Sequence, residues 1–255
     1  MREFVHSLVG SPRHLGRLLP CLSFILLLTA GCQPGDRRDF DEKFKHYTPR
    51  QNYEIARNND NPNERRRAVA RIAESNIRDD EAFSVLDELA RNDESEQVRC
   101  IAIRGLGGFR DGRPVKTMFV LLNPKAHPDE SRAATAQVRW DAAQALLKFV
   151  ENHAVADADI AETLDIFVSL LLHDTSREVK IAAAKALGYV EDVRGLRALI
   201  AGLRYKDFGV AYAAHASLVQ LTGQRYEYDA DGWDAWLTSN PRPFDRTATT
   251  SQAAK

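Results

Sequence analysis

Side chains fit for chemistry are few in this chain of 255 residues, and they are scattered. His173-Asp174 has the composition of an acid–base pair. Both residues, however, close an apolar run ahead of a polar loop, where a histidine is favoured by the dipole of a helix C-terminus. His127 and His153 stand in two loop-like stretches. Two imidazoles meeting across loops would begin a metal site, but no cysteine and no regular carboxylate spacing supports one. His215 lies in an Ala-rich stretch and reads as a hydrogen-bonded or partly exposed helix residue. Cys100 follows Val98 by two residues on a periodic apolar segment and reads as a packed, inert thiol rather than a nucleophile. The chain has no Gly-x-Ser-x-Gly elbow, no phosphate-binding Gly-rich loop, no His-Glu-x-x-His helix and no Cys-x-x-Cys pair. The expectation is therefore no catalytic residue, no metal, no cofactor and no enzyme.

Recognition is the chemistry the charges do offer. Glu81, Asp87 and Glu88 cluster in one periodic segment, and Arg194, Arg197, Arg204 and Lys206 in a later one. An acidic end opposite a basic end suits a polar protein or peptide partner. The alternative is that these residues only solvate exposed helix faces. The 35 basic and 36 acidic residues exclude the strong basic excess that general nucleic-acid binding requires.

The elements that must position these residues announce themselves by repetition. Val98, Ala102, Gly105 and Leu106 occupy offsets 0, 4, 7 and 8 of a motif. Val138, Ala142, Ala145 and Leu146 repeat it, as do Val179, Ala183, Ala186 and Leu187, and then Val210, Ala214, Ser217 and Leu218. A faint copy keeps only Ala68 and Ile72, with Glu64 and Arg71 at the other places. Self-similarity at a period of roughly 30 to 45 residues marks a helical solenoid, in which no pair of helices buries both its faces alone and repeats must stack. Small residues at offsets 4 and 7 let neighbouring helices approach closely.

Read helix by helix, a lead-in around Tyr53 and Ile55 precedes first helices at 64–74, 97–109, 137–151, 178–190 and 209–222. These alternate with second helices at 80–92, 114–122, 158–172 and 194–205, and a short helix at 231–237 closes the series. Trp233 and Trp236 on that last helix read as a cap over the final repeat, with an aromatic ligand platform as the alternative. Asp93, Asp174 and Asp207 precede successive first helices as loop ends or N-caps. Equivalent positions are 34, 40, 41 and 31 residues apart, which places extra length in the loops 123–136 and 152–157. Insertions on a solenoid often sit on its binding face.

Val-Lys-Ile-Ala-Ala-Ala-Lys-Ala-Leu-Gly (179–188) resembles the HEAT-like repeat, in particular the short bacterial variety related to phycobilisome-lyase HEAT repeats. The resemblance covers about 62–237. Leu221-Thr222-Gly223-Gln224 followed by Trp233 and Trp236 also looks like the close of many exported bacterial HEAT-repeat proteins. It implies an all-α, armadillo-type superhelix of about five helical repeats, and binding or scaffolding more often than catalysis. It rests on packing positions, so the lyase activity is not carried over with it. Nor is that of the HEAT-repeat deoxyhypusine hydroxylases, because the chain has no His-Glu dipeptide.

The first 32 residues read as an address. Arg2, Arg13 and Arg17 precede an apolar run from Cys21 to Ala30, about half the 20 residues a spanning helix needs. A cleaved export signal is the reading. Leu28-Thr29-Ala30-Gly31-Cys32 resembles the lipobox of bacterial lipoproteins, which implies cleavage before Cys32 and a lipid on its sulfur. Thr29 departs from the usual Leu, and an ordinary secretory signal with an incidental cysteine is the alternative. Gln33, rather than Asp, implies the outer membrane under that family's sorting habit. Loss of three basic residues and one acidic leaves 32 against 35, a mature net charge near −3. The expected layout is a signal peptide at 1–31, lipidated Cys32 and a flexible tether at 32–49, a HEAT-repeat domain at 50–240, and a disordered tail at 241–255.

The expected function is a non-catalytic scaffold or adaptor, lipid-anchored to the periplasmic side of the outer membrane. It would bind an envelope protein along the solenoid, with no nucleic acid involved. The alternatives are an accessory enzyme of lyase or hydrolase type using loop histidines and acids, and a purely structural envelope subunit.

Overall fold

The structure, a computed structural model, describes residues 47–245 apart from 124, 128 and 129. The signal peptide, Cys32, the tether up to residue 46 and the tail from 246 lie outside the described residues. The described residues from Thr48 onward form one compact unit.

The described residues form eleven α-helices and no strand. Helix α1 (Pro49–Asn58) opens on a capping box, in which Thr48 accepts from the Gln51 amide and Gln51 answers the Thr48 N–H. It leads into α2 (Pro62–Glu74), α3 (Asp80–Asn92), α4 (Glu96–Leu106) and α5 (Val115–Leu122). Next come α6 (Ala136–Glu151), α7 (Asp157–His173), α8 (Arg177–Leu187), α9 (Val193–Leu203), α10 (Phe208–Thr222) and α11 (Ala230–Ser239). Asp79, Thr135, Ser176, Asp192, Asp207 and Asp229 cap their helices through side-chain oxygens.

Two layers result. The first helices α2, α4, α6, α8 and α10 stack in chain order, and so do α1, α3, α5, α7, α9 and α11. This is the all-α, HEAT-like solenoid that the repeat predicts. Each second helix packs on the first helix that follows it: α3 on α4, α5 on α6, α7 on α8, α9 on α10. The offsets now have places. The offset-7 residue faces the preceding first helix: a Cβ on Gly105 would come within 2.9 Å of the Ala73 Cβ. Ser217, at the same offset of α10, donates to the Ala184 carbonyl of α8 at 2.8 Å. Offset 4 faces the preceding second helix, and a Cβ on Gly202 of α9 would stand 2.9 Å from that of Ala214. Val, Ala and Leu at the motif positions are buried without exception, and they run through the core from end to end.

One detail differs from expectation. The segment between α6 and α7 is only residues 152–156, so the extra length there is helix, α6 having 16 residues and α7 17. No Gly or Pro interrupts either helix, and propagation adds one hydrogen bond per residue. The 123–135 connection is a true loop. Trp233 is fully buried and edge-on to both Tyr226 and Trp236, with its indole N–H donating to the Glu227 carbonyl at 3.2 Å. It caps the last repeat.

Candidate functional site

A recurrent buried or half-buried cation stands near the start of the first helices, and sequence reading missed it. Offset 1 of the motif is basic in four copies: Arg65, Arg99, Arg139 and Lys180. Arg65 grips Asp93 with two bonds, at 2.8 and 3.0 Å, and Arg139 grips Asp174 at 2.7 and 3.0 Å. Both aspartates also accept the amide two residues on, from Ser95 and Ser176, at 2.7 Å each. Arg99 is buried and donates to the carbonyls of Ala90, Arg132 and Ala133, and its burial lowers its pKa. Lys180 donates to the Leu171 and Leu172 carbonyls and to the Tyr205 hydroxyl. Each cation therefore ties the start of a first helix to the end of a second one, where carbonyls without intrahelical partners favour positive charge. Four Val-Arg, Val-Lys or Glu-Arg pairs at one offset were the available signal.

The second-helix layer carries its charges as a ladder. Arg57 of α1 reaches Glu88 at 3.2 Å and Glu81 at 4.0 Å on α3. Asp80 and Asp87 of α3 meet Arg113, just before α5, and Thr117 of α5, while Arg91 also holds Asp87 at 2.9 Å. Lys116 of α5 pairs with Asp159 of α7 at 2.7 Å. Asp165 of α7 pairs with Arg194 of α9 at 2.6 Å. Arg204, at the end of α9, holds Asp231 and Asp234 of α11 at 2.7 and 2.9 Å. Sign alternates from one second helix to the next. The acidic cluster stands on α3 and the basic one on and just after α9, and most of their members are paired with a neighbouring helix. Of the seven residues named from sequence, Glu81 and Glu88 converge on Arg57, Asp87 turns to Arg91 and Thr117, and Arg194 and Arg204 are engaged. Arg197 and Lys206 are exposed and make no ion pair among the described residues.

The candidates for catalysis disperse. Asp174 is committed to Arg139. Burial works to raise its pKa, but the bonds from Arg139 and Ser176 prevail and hold its carboxyl below the usual carboxylate range. His173 beside it is exposed. His127 lies between Glu130 and Glu162, with ring nitrogens at 3.2 and 3.3 Å, and so fixes the 123–135 loop to α7. His153 has a left-handed backbone, with φ of 53°, and lines a cavity of about 450 Å³ with Val155, Asp157, Ile160, Tyr189 and Glu191. The two histidines do not meet. Among the described residues no group of three or more His, Cys, Asp or Glu is placed to hold a metal ion. Cys100 is buried, and desolvation, helped by a hydrogen bond to Asp141, pushes its thiol up to about 12. No helix of the described residues is long and apolar enough to cross a membrane.

No family model matches the chain, and no curated protein matches it. Among solved structures it is similar to the complex of CpcE and CpcF of phycocyanin lyase from Nostoc sp. PCC7120, at 21% identity and a TM-score of 0.49, over 76% of this chain and 70% of that one. The expectation that this chain is no enzyme is corrected by that finding, since the protein it is similar to is named as a lyase.

Proposed function

We propose that this protein binds a protein partner along its second-helix layer and is held at a membrane of the cell envelope by lipid on Cys32. The observation that carries the reading is the unbroken row of charged side chains across the six second helices, which offers a long polar face. Glu81, Asp87, Glu88, Arg194, Arg197, Arg204 and Lys206 are the proposed contact residues. Arg197 and Lys206 lead, because their charge is not already used within the stack; the others bind by exchanging an internal partner for an external one. The lipid reading rests on the lipobox resemblance, and the outer membrane on Gln33.

In-cell crosslinking of the wild type beside an Arg197→Glu, Lys206→Glu variant tests the binding face. One specific envelope protein, captured by the wild type and lost from the variant, supports it. No reproducible partner in either sample sinks it. Cys32→Ser tests the anchor: the protein should leave the membrane fraction, and retention there would refute lipidation.

A second reading, lyase-type chemistry in which the chain is one subunit, has its own observation. His153, Asp157, Tyr189 and Glu191 gather acid–base groups around the 450 Å³ cavity. Burial, followed by the charge of Glu151, raises the Tyr189 pKa, so the phenol keeps its proton well above neutral pH. Phycocyanin mixed with the protein should change its absorbance, and His153→Ala and Tyr189→Phe should abolish the change. An unchanged spectrum with wild-type protein removes this reading.

A further inference from the structure

The last first helix, α10, differs from every other described helix. Its sequence, Phe-Gly-Val-Ala-Tyr-Ala-Ala-His-Ala-Ser-Leu-Val-Gln-Leu-Thr, holds no Asp, Glu, Lys or Arg. In the earlier first helices the residues at offsets 2, 5 and 9 lie on the side that the next first helix covers. Ala73, Gly107 and Gly188 at offset 9 of α2, α4 and α8 meet Gly105, Ala145 and Ser217 of the following helix. In α10 these offsets are Tyr212, His215 and Val219, and Phe208 continues the line one turn earlier. No first helix follows α10 among the described residues. Phe208 is 69% exposed, Tyr212 57% and Tyr228 42%, three of the five most exposed large hydrophobic residues of the described chain. They form one patch. Phe208 lies 6.0 Å from Tyr212 and 5.9 Å from Tyr228 between ring centroids, and Tyr228 lies 4.8 Å from the His215 ring.

We propose that this face docks on the same face of a second copy of the chain, α10 against α10, antiparallel about a two-fold axis. In the four earlier first helices the corresponding side is covered by the next first helix, so a helix is a body that fits it. Phe208, Tyr212, His215 and Val219 are spaced 4, 3 and 4 residues apart. That order reads the same in both directions, and an antiparallel copy sets Phe208 on Val219 and Tyr212 on His215. A two-fold interface juxtaposes a surface with itself, so any net charge on it would repel; α10 has none to repel. Ala216, exposed beside the line, is small enough to allow close approach. The other end of the stack does not offer a match, because α2 presents Arg67, Arg71 and Glu74 where a preceding first helix would lie. Stacking therefore closes as a pair and does not run on as a filament.

The rings leave roughly 300 Å² of aromatic surface per copy at typical ring areas of about 150–250 Å². With its flanks such a contact falls at the small end of specific interfaces, and the dimer is reversible. The experiment is sedimentation of the full chain carrying Cys32→Ser, which removes lipid-driven association, across a range of concentrations. The wild-type face should give a monomer–dimer equilibrium. Phe208→Glu and Tyr212→Glu should each shift it to monomer at every concentration, with thermal melting unchanged because both side chains are exposed. A wild type that stays monomeric at the highest attainable concentration overturns the proposal, as does a dimer that survives both substitutions. A monomeric wild type that instead retains an unrelated helical partner also overturns it.

Discussion

The grip of Arg139 on Asp174 sets a measurable stability. Asp174→Ala removes the acceptor of three hydrogen bonds: two from the Arg139 guanidinium, at 2.7 and 3.0 Å, and one from the Ser176 amide, at 2.7 Å. The Asp174 side chain is 4% exposed and that of Arg139 22%. Breaking a buried pair by deleting one partner costs about 3–5 kcal/mol, and Arg139 recovers part of that by turning to water, which leaves about 2–3 kcal/mol. In a domain of this size each kcal/mol moves the melting temperature by roughly 2–4 °C, so a fall of about 5–10 °C is expected by circular dichroism. Asp165→Ala is the control. It deletes an ion pair whose side chains are 52% and 66% exposed and costs under about 1 kcal/mol. The pH dependence fixes the cause. The folded-state pKa of Asp174 is depressed, so its contribution is fully present above the ordinary carboxylate range and fades as pH falls through and below that range. The gap between wild type and Asp174→Ala should therefore be full at pH 7 and close in strong acid. A variant that melts within about 2 °C of Asp165→Ala at pH 7, or a gap that persists unchanged in acid, refutes the reasoning.

Gly105→Val should destabilise by about 1–3 kcal/mol by overpacking, because an added Cβ already meets Ala73 at 2.9 Å and Leu86 at 3.1 Å; urea unfolding measures it. Cys100 should resist thiol reagents in the native protein and react only after denaturation, since its thiol is buried and pushed up to about 12. Stoichiometric labelling of the folded chain at pH 7 would show that this reading of its surroundings is mistaken.

The fold was legible because its causes are local and repeated. The span 80–92 read from sequence is the observed α3, since Asp79 caps one end and Asp93 breaks off the other. Small residues at offsets 4 and 7 predicted close approach, and Gly105, Ala145, Ser217 and Gly202 show where it occurs. The offset-1 cations were equally visible as letters, but a basic residue beside a core valine reads as solvated unless one knows which helix end lies over it. Partners across repeats depend on how far each repeat turns against the last, which the motif does not encode. For that reason the sequence shows the two charged clusters only as opposite ends of a face, whereas most of their members are answered one helix away. The lack of charge in 208–222 was also open to reading. Its meaning needed the stack, because only there does one see that a following first helix lies over this side of α2, α4, α6 and α8, whereas none follows α10 among the described residues.

The alternating ladder argues for a role inside the stack as well as outside it. Each ion-paired rung between helices has at least one exposed partner and contributes at most about 1 kcal/mol, too little to explain the fold. Position matters more than strength here. A second helix displaced by one repeat would meet a helix of its own sign, so alternation penalises that slip while favouring the right neighbour. The rung that closes the series is open to test. Arg204→Glu puts a carboxylate where Asp231 and Asp234 now lie within 2.7 and 2.9 Å of the Arg204 guanidinium. Repulsion of about 1 kcal/mol per pair should then loosen α11 from α9. With Trp140 and Trp236 replaced by Phe, Trp233, fully buried on α11, reports this directly. Its emission should shift to the red and its quenching by iodide should rise, while adding Asp231→Arg and Asp234→Arg to the same chain should restore both. If Arg204→Glu leaves the emission unchanged, apolar packing alone holds α11. If it shifts and the charge swap does not restore it, the loss is one of local packing around residue 204. In either case the ladder does not select its neighbours.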